Sequence, residues 1–239
     1  MRLALRLAEA RDRFCAMRRR PLHLVDFHRR WFRELAAYYR HLSREEFWLR
    51  YHTARLEAER IARESPERLW TDTDYFILRQ MYYHRDRCFH FASALLPRGG
   101  IWLEYGCGVA PVTAWLRRHR RDAIGLASDV PSRTFTFAEW RWPRSILPIA
   151  YPMRYAAHLV ICSEVLEHVA NPVAVVNLIN TLLLPGGHLL VNFVETDPAG
   201  ANLEAAQAAR QATIALLTQS LETIRPMSAH GPDGIYRKP

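Results

Sequence analysis

Between Ile101 and Leu116 an apolar run closes on an acid (Ile101-Trp102-Leu103-Glu104-Tyr105). It then passes through Gly106-Cys107-Gly108 and enters a helical pattern at Pro111-Val112-Thr113-Ala114-Trp115-Leu116. A strand that turns through glycines straight into a helix commits a chain to an α/β fold, and it shapes a pocket of a particular kind. Glycine lacks a Cβ, so the turn can take angles closed to other residues. A ligand can then lie on bare backbone, facing the free N–H groups of the helix start. The details narrow the choice of ligand. A dinucleotide fingerprint asks for a third glycine or alanine at the sixth motif position, where Pro111 stands, and for a phosphate over the helix start. Pro111 suits a first helical turn, having no N–H to lose, and Glu104 sets a negative charge beside the turn. Such a charge repels a pyrophosphate and attracts a cationic amino-acid tail.

A second apolar run, Ala123 to Asp129, ends in an acid about 20 residues after the glycines, the separation expected of a ribose-binding carboxylate. Asp129 is the ribose candidate. Residues 158–169 (HLVICSEVLEHV) read as a strand running into a polar loop, and residues 182–193 (LLLPGGHLLVNF) as helix end, turn and strand. In this order and spacing, the GCG turn, the EVLEHV loop followed by Asn171-Pro172, and the PGG turn resemble class I S-adenosylmethionine-dependent methyltransferases. The resemblance covers about residues 100–195.

That resemblance implies a Rossmann-like, doubly wound α/β fold with a seven-stranded sheet and a C-terminal antiparallel hairpin. It also implies S-adenosyl-L-methionine as cofactor, with S-adenosyl-L-homocysteine as product. On the family's pattern Glu104 faces the methionine amino group, while Tyr105, Gly106, Cys107 and Gly108 supply the wall along methionine and ribose. Asp129 holds the ribose hydroxyls, Val130 lies on the adenine, Ile149 and Ala150 surround it, and Cys162 and Ser163 complete the cofactor site at the end of the fourth strand. Three positions depart from the pattern. Ala110 replaces the usual third glycine, residues 145–157 carry no acid for the adenine amino group, and His158 opens the fourth strand where an aspartate is usual.

The sulfonium already activates the methyl group, so positioning should dominate catalysis. A hydroxyl acceptor still gains from a base, and His168 is the best-placed titratable group after the fourth strand. Its alternative is a histidine that only bonds backbone and shapes the loop. Glu164 and Glu167 share the segment, one to cap the loop and one to orient His168. Tyr75, Tyr82 and Tyr83 on the helices before the first strand, and Asn192 and Glu195 beyond the fifth, are the candidate acceptor-binding residues. Phe76 with Tyr83 and Tyr82 with Phe89 recur at heptad spacing, which is also what core packing requires.

The chain has 239 residues, about half of them hydrophobic, enough for one full-sized core and an appendage. From Leu24 to Leu96 the apolar spacing stays helical, with breaks at Ser43, Ser65-Pro66 and Thr71-Asp72; Ser43 with Glu46 forms a capping box, and Asp72 or Thr73 caps the next helix. The expected organisation is a helical N-terminal extension over 1–70 and a catalytic domain over 71–239, with one helix from Ala201 to Leu221 before the terminal hairpin. The four cysteines, Cys15, Cys88, Cys107 and Cys162, show no metal-ligand spacing, so no metal site is expected. Neither a membrane-length apolar run nor a secretory cleavage site occurs, and a cytoplasmic protein with reduced thiols is expected.

The formal charge of +9 comes almost wholly from arginine, Lys238 being the single lysine. Arg18-Arg19-Arg20 and Arg29-Arg30 can serve a nucleic acid, but interleaved acids favour a solvated face. The sequence therefore predicts methyl transfer to a small-molecule acceptor, a hydroxyl of a secondary metabolite, sugar or lipid-linked intermediate. RNA or protein methylation through the arginine-rich helices is one alternative. A catalytically silent methyltransferase-like scaffold is the other.

Overall fold

The computed structural model describes residues 32–80, 87–148, 156–195, 202–227 and 234–239. Seven strands, β1 (Ile101–Tyr105), β2 (Ile124–Asp129), β3 (Ile146–Pro148), β4 (Ala157–Cys162), β5 (Leu183–Val191), β6 (Glu222–Arg225) and β7 (Gly234–Arg237), build one sheet. Their order is β3-β2-β1-β4-β5-β7-β6. The first five are parallel, β7 runs antiparallel to β5, and β6 runs antiparallel to β7. This is the doubly wound sheet and closing hairpin that the sequence predicts. Because β1 pairs with both β2 and β4, the winding reverses between β1 and β4, and the carboxyl ends of these strands open a crevice.

Both sheet faces are covered, which is why β1 and β4 read as nearly unbroken apolar runs. On one face Leu103, Tyr105, Val160, Cys162, Leu189 and Val191 meet α6 (Pro172–Leu182) and α8 (Arg210–Ser220). On the other, Trp102, Leu159, Ile161 and Leu190 meet α3 (Arg87–Leu95) and α4 (Pro111–His119). Arg120, at the end of α4, ties that helix to the end of α3 and the loop after it, donating to the carbonyls of Ser93 at 2.9 Å, Leu96 at 2.6 Å and Pro97 at 2.8 Å. At the fourth strand, His158 Nδ1 accepts the Ile101 N–H at 3.1 Å. The residue that departs from the family's pattern thus satisfies the first backbone donor of β1.

The capping box opens α1 (Arg44–Glu64) as predicted. Ser43 Oγ accepts the Glu46 N–H at 3.1 Å, and Glu46 Oε2 accepts the Ser43 N–H at 2.7 Å. The helix stops at Ser65-Pro66, a 3-10 turn spans Pro66–Arg68, and α2 (Tyr75–Gln80) follows, with Thr73 Oγ1 accepting the Tyr75 N–H. This N-terminal segment has a small buried cluster of its own, Ala58, Ile61, Leu69 and Phe76, and shares a larger one with the catalytic sheet's helices. Leu35, Leu42, Phe47, Ile77 and Leu78 pack in one cluster with Val109 of the glycine turn and Phe137 of α5 (Arg133–Arg141).

The single helix expected over 201–221 is two, α7 (Glu204–Ala208) and α8, broken at Ala209. They dock in different places. Leu203 at the head of α7 donates to the Glu167 carbonyl beyond β4, whereas α8 lies against α6. Two separate anchors override a helical pattern that is continuous in the sequence. Among the described residues, no helix is long and apolar enough to cross a membrane.

Candidate active site

The turn after β1 is held from both sides. Gly106 and Gly108 adopt φ of 66° and 51°, and the N–H groups of Gly106 and Cys107 donate to the Ser128 carbonyl on β2 at 2.8 and 3.0 Å. A Cβ on Gly106 would stand 2.4 Å from Val165 Cγ2, so the loop beyond β4 closes on the bare backbone of the turn.

Helix α4 then starts at an unusual cap. Ala110 occupies the N-cap at φ 54° with no side-chain oxygen to offer, and Pro111 has no N–H. Glu104, at the end of β1, takes over. Its Oε1 accepts the Val112 N–H at 3.2 Å and its Oε2 the Thr113 N–H at 2.6 Å. The expectation of free helix N–H groups facing a ligand is therefore corrected at these two positions, where the acid has consumed them as a cap reaching in from the strand. Glu104 is only 5% exposed. Burial pushes its carboxyl up to about 7, opposed by the two N–H bonds and by the charge of Arg141.

Asp129 ends β2 in the same manner. Its Oδ2 accepts the Gly108 N–H at 2.6 Å and its Oδ1 the Val130 N–H at 2.7 Å, while burial pushes its carboxyl up to about 6. Beside it the side chain of Val130 is 42% exposed. Tyr105 and Cys107 are buried in the core under the turn. Burial pushes the Cys107 thiol well up, with the charges of Asp129 and Glu104 adding to the effect, so it is a small space-filling side chain rather than a nucleophile.

Across the crevice, Cys162 is the buried last residue of β4, and Ser163 is half-buried. Glu164 follows at φ 58°, a left-handed conformation that costs a non-glycine residue about 1–3 kcal/mol. It is held there by Asn192 at the end of β5. Asn192 Oδ1 accepts the Glu164 N–H and its Nδ2 donates to Glu164 Oε1, both at 2.6 Å. Two residues predicted separately, one catalytic and one acceptor-binding, thus form one reciprocal clasp. His168 ends a 3-10 turn (Leu166–His168), and its imidazole lies 4.1 Å from the Trp70 indole, centroid to centroid.

Tyr75 sits in the aromatic core of the N-terminal segment, 5.8 Å from Tyr51 and 5.4 Å from Phe76, and Glu195 is exposed. Tyr82, Tyr83, Ile149 and the arginine runs before residue 31 lie outside the described residues. Sequence reasoning missed Trp70, Val165 and Arg141. Nη1 of Arg141 donates to the Val109 carbonyl at 3.1 Å, and its Nε pairs with Glu34 at 2.7 Å, joining the N-terminal segment to the turn. No local pattern marks these residues, because each acts on a partner remote in the chain.

A family model described as a methyltransferase domain matches residues 77–231. The ubiquinone biosynthesis O-methyltransferase of Photorhabdus laumondii is 27% identical over 125 residues, 46% of this chain and 51% of that protein. The chain spans about half the length of that curated relative. Among solved structures, a TehB-like SAM-dependent methyltransferase from Corynebacterium glutamicum is 15% identical, with TM-score 0.44, over 62% of this chain and 84% of its own. An O-methyltransferase family 2 protein from Planctomyces limnophilus in complex with apigenin is 18% identical, with TM-score 0.41, over 59% and 52%. With its family model matched over more than half its length, on a sheet wound 3-2-1-4-5-7-6, the chain belongs to the class I S-adenosylmethionine-dependent methyltransferase family.

Proposed function

We propose that the chain methylates a hydroxyl of a small-molecule acceptor, a secondary metabolite, sugar or lipid-linked intermediate, using S-adenosylmethionine. The observation that carries this reading is the pair Glu104 and Asp129, the first buried and the second half-buried at adjacent strand ends, and both pushed above the ordinary carboxylate range by burial. A buried acid favours a ligand that brings a counter-charge, and the charge of Arg141 offsets the burial of Glu104 only in part. Each carboxylate has about four lone-pair sites; Glu104 uses its own on the Val112 and Thr113 N–H groups and the Thr113 side chain, and Asp129 on the Gly108 and Val130 N–H groups, which leaves room for an ammonium at Glu104 and for ribose hydroxyls at Asp129. Exposed Val130 offers an apolar surface for the adenine. The residues present fit the cofactor.

When bound, S-adenosylmethionine supplies an electrophilic methyl, which the acceptor oxygen takes as the carbon–sulfur bond breaks with its electron pair passing to sulfur. His168 accepts the hydroxyl proton as that oxygen attacks. The Glu164–Asn192 clasp fixes the rim where the acceptor enters, and the N-terminal segment roofs the crevice through Val109 and Trp70. Hydroxyl chemistry draws support from the relative named as an O-methyltransferase. The motive for a silent scaffold weakens at His158, whose ring has a structural task of its own.

Calorimetry with S-adenosylmethionine and S-adenosylhomocysteine tests the cofactor half. Saturable binding of both is expected, and no heat at millimolar ligand would leave the scaffold reading in its place. Methyl-labelled cofactor incubated with the small-molecule fraction of a cell extract tests the rest. Label recovered only in RNA or protein, when these are offered instead, would overturn the acceptor class.

A further inference from the structure

We infer that Trp70 is a positioning residue for His168, an inference that rests on the proton-accepting role proposed above. Phe76, Trp70 and His168 follow one another ring on ring, the first pair stacked and the second tilted. The Trp70 indole lies 4.0 Å from the Phe76 ring at 22° and 4.1 Å from the imidazole at 42°. Phe76 is anchored in a buried cluster with Ala58 and Ile61 of α1 and with Leu69.

The segment carrying Trp70 is pinned on both sides. Arg68 Nε donates to Asp72 Oδ2 at 2.7 Å, and the Thr71 carbonyl accepts the Arg133 N–H at the head of α5 at 3.2 Å. The orientation of the imidazole is therefore inherited from the N-terminal segment, across about a hundred residues of chain.

The indole N–H is buried and has no hydrogen-bond partner among the described residues. Trp70 thus serves through its ring face and not as a donor. That face carries negative π-density, which favours the imidazolium formed when His168 takes the acceptor's proton, and tryptophan offers the strongest such face among the aromatic residues.

The test is a double-mutant cycle. Its readout is the initial rate of label transfer from saturating methyl-labelled S-adenosylmethionine into the small-molecule fraction of a cell extract, used as a dilution series. Trp70→Leu should lower the maximal rate about tenfold, with the half-saturating dilution and the calorimetric cofactor affinity within twofold of the unmodified chain. Trp70→Phe, which keeps a weaker stacking face, should lower it only about threefold. In a His168→Ala background Trp70→Leu should cost less than twofold.

An undiminished tenfold loss in that background would mean that Trp70 only holds the fold together, and the inference would fall while the proposed function stood. Full turnover by His168→Ala would instead sink the proton-accepting role, and the inference with it. Should Trp70→Leu fail to fold, the cycle is run with Trp70→Phe. Its predicted loss of about threefold must likewise vanish without the imidazole, since the two share one face-to-ring contact.

Discussion

The two lips of the crevice are built on different principles. On the β1–β2 lip, side chains serve backbone. Glu104 and Asp129 between them take the N–H groups of Gly108, Val112, Thr113 and Val130, all within 26 residues of chain. On the β4–β5 lip, side chains reach residues remote in the chain, Asn192 the N–H and carboxylate of Glu164 and Trp70 the imidazole of His168, over separations of 28 and 98 residues. A lip made of backbone and two acids has few degrees of freedom and suits a ligand that never changes. One made of side-chain pairs can be retuned by single substitutions, which suits an acceptor that differs between relatives.

The sharpest way to break this contrast is Glu104→Gln. The amide cannot accept both helix N–H groups, and one of them would face an N–H donor. A loss of about 3 kcal/mol in stability is expected, along with about a hundredfold in S-adenosylmethionine affinity, from urea melts and calorimetry. The unmodified chain makes a matching prediction with pH. Burial raises the folded-state carboxyls of Glu104 to about 7 and of Asp129 to about 6, so between the ordinary carboxylate range and about 7 the folded chain holds protons that the unfolded chain has released. These two groups therefore subtract stability as pH rises through that window. On the proposed function cofactor affinity runs the other way, because an ammonium held at Glu104 needs an ionised carboxylate, and should weaken as pH falls below about 7. Affinity flat from pH 5 to 8 would detach Glu104 from the cofactor.

Next in size is Gly106→Ala, which tests whether the lips are independent. The new methyl meets Val165 Cγ2 at 2.4 Å, and φ is 66°. Overpacking and the left-handed backbone together should cost about 2 kcal/mol. Adding Val165→Ala should restore about half. An unrescued loss would place the whole cost in the backbone and leave the two lips uncoupled.

The same contrast explains what the sequence disclosed. The β1–β2 lip was legible because its constraints are local: glycines at a turn, an acid at each strand end, a proline at the first helical position. Even there the helix N–H groups look open to a ligand from sequence alone, since nothing in it says that Ala110 is an N-cap without an oxygen and that Glu104 folds back to replace it. The other lip yielded its members but not their pairings. Asn192 and Glu164 were both singled out, yet hydrogen bonding across adjacent parallel strands depends on a register that only the folded sheet sets. Trp70 is more remote still, because its partner lies on a loop brought near by the winding of four strands.

Asn192→Ala should weigh less than either change on the first lip. It removes the acceptor for the Glu164 N–H and frees a residue held at φ 58°, so about 1 kcal/mol of stability should go. Its larger mark should be on turnover, with label transfer reduced several-fold while cofactor affinity stays within twofold. If cofactor affinity fell in parallel, the clasp would belong to both lips and the division between them would fail.

The smallest effect is expected at Ala110→Gly, the position where this chain departs from the family's usual glycine. Three terms compete there. Removing the Cβ relieves left-handed strain of about 1 kcal/mol. It also forfeits a buried methyl worth about 0.8 kcal/mol, packed with Cys107, Ala127 and Phe135. Glycine loosens the unfolded chain as well, a further cost of about 0.4–1 kcal/mol. The sum is a net destabilisation of about 0.2–0.8 kcal/mol, readable as a small shift in urea midpoint at constant slope. Near-cancellation would explain how alanine stands at φ 54° on the lip with the tightest backbone: the pocket behind the turn repays in packing what the backbone loses in strain. A stabilisation above about 1.5 kcal/mol would show the opposite, a turn kept under tension, and would make Ala110 rather than Glu164 the most strained residue of the crevice.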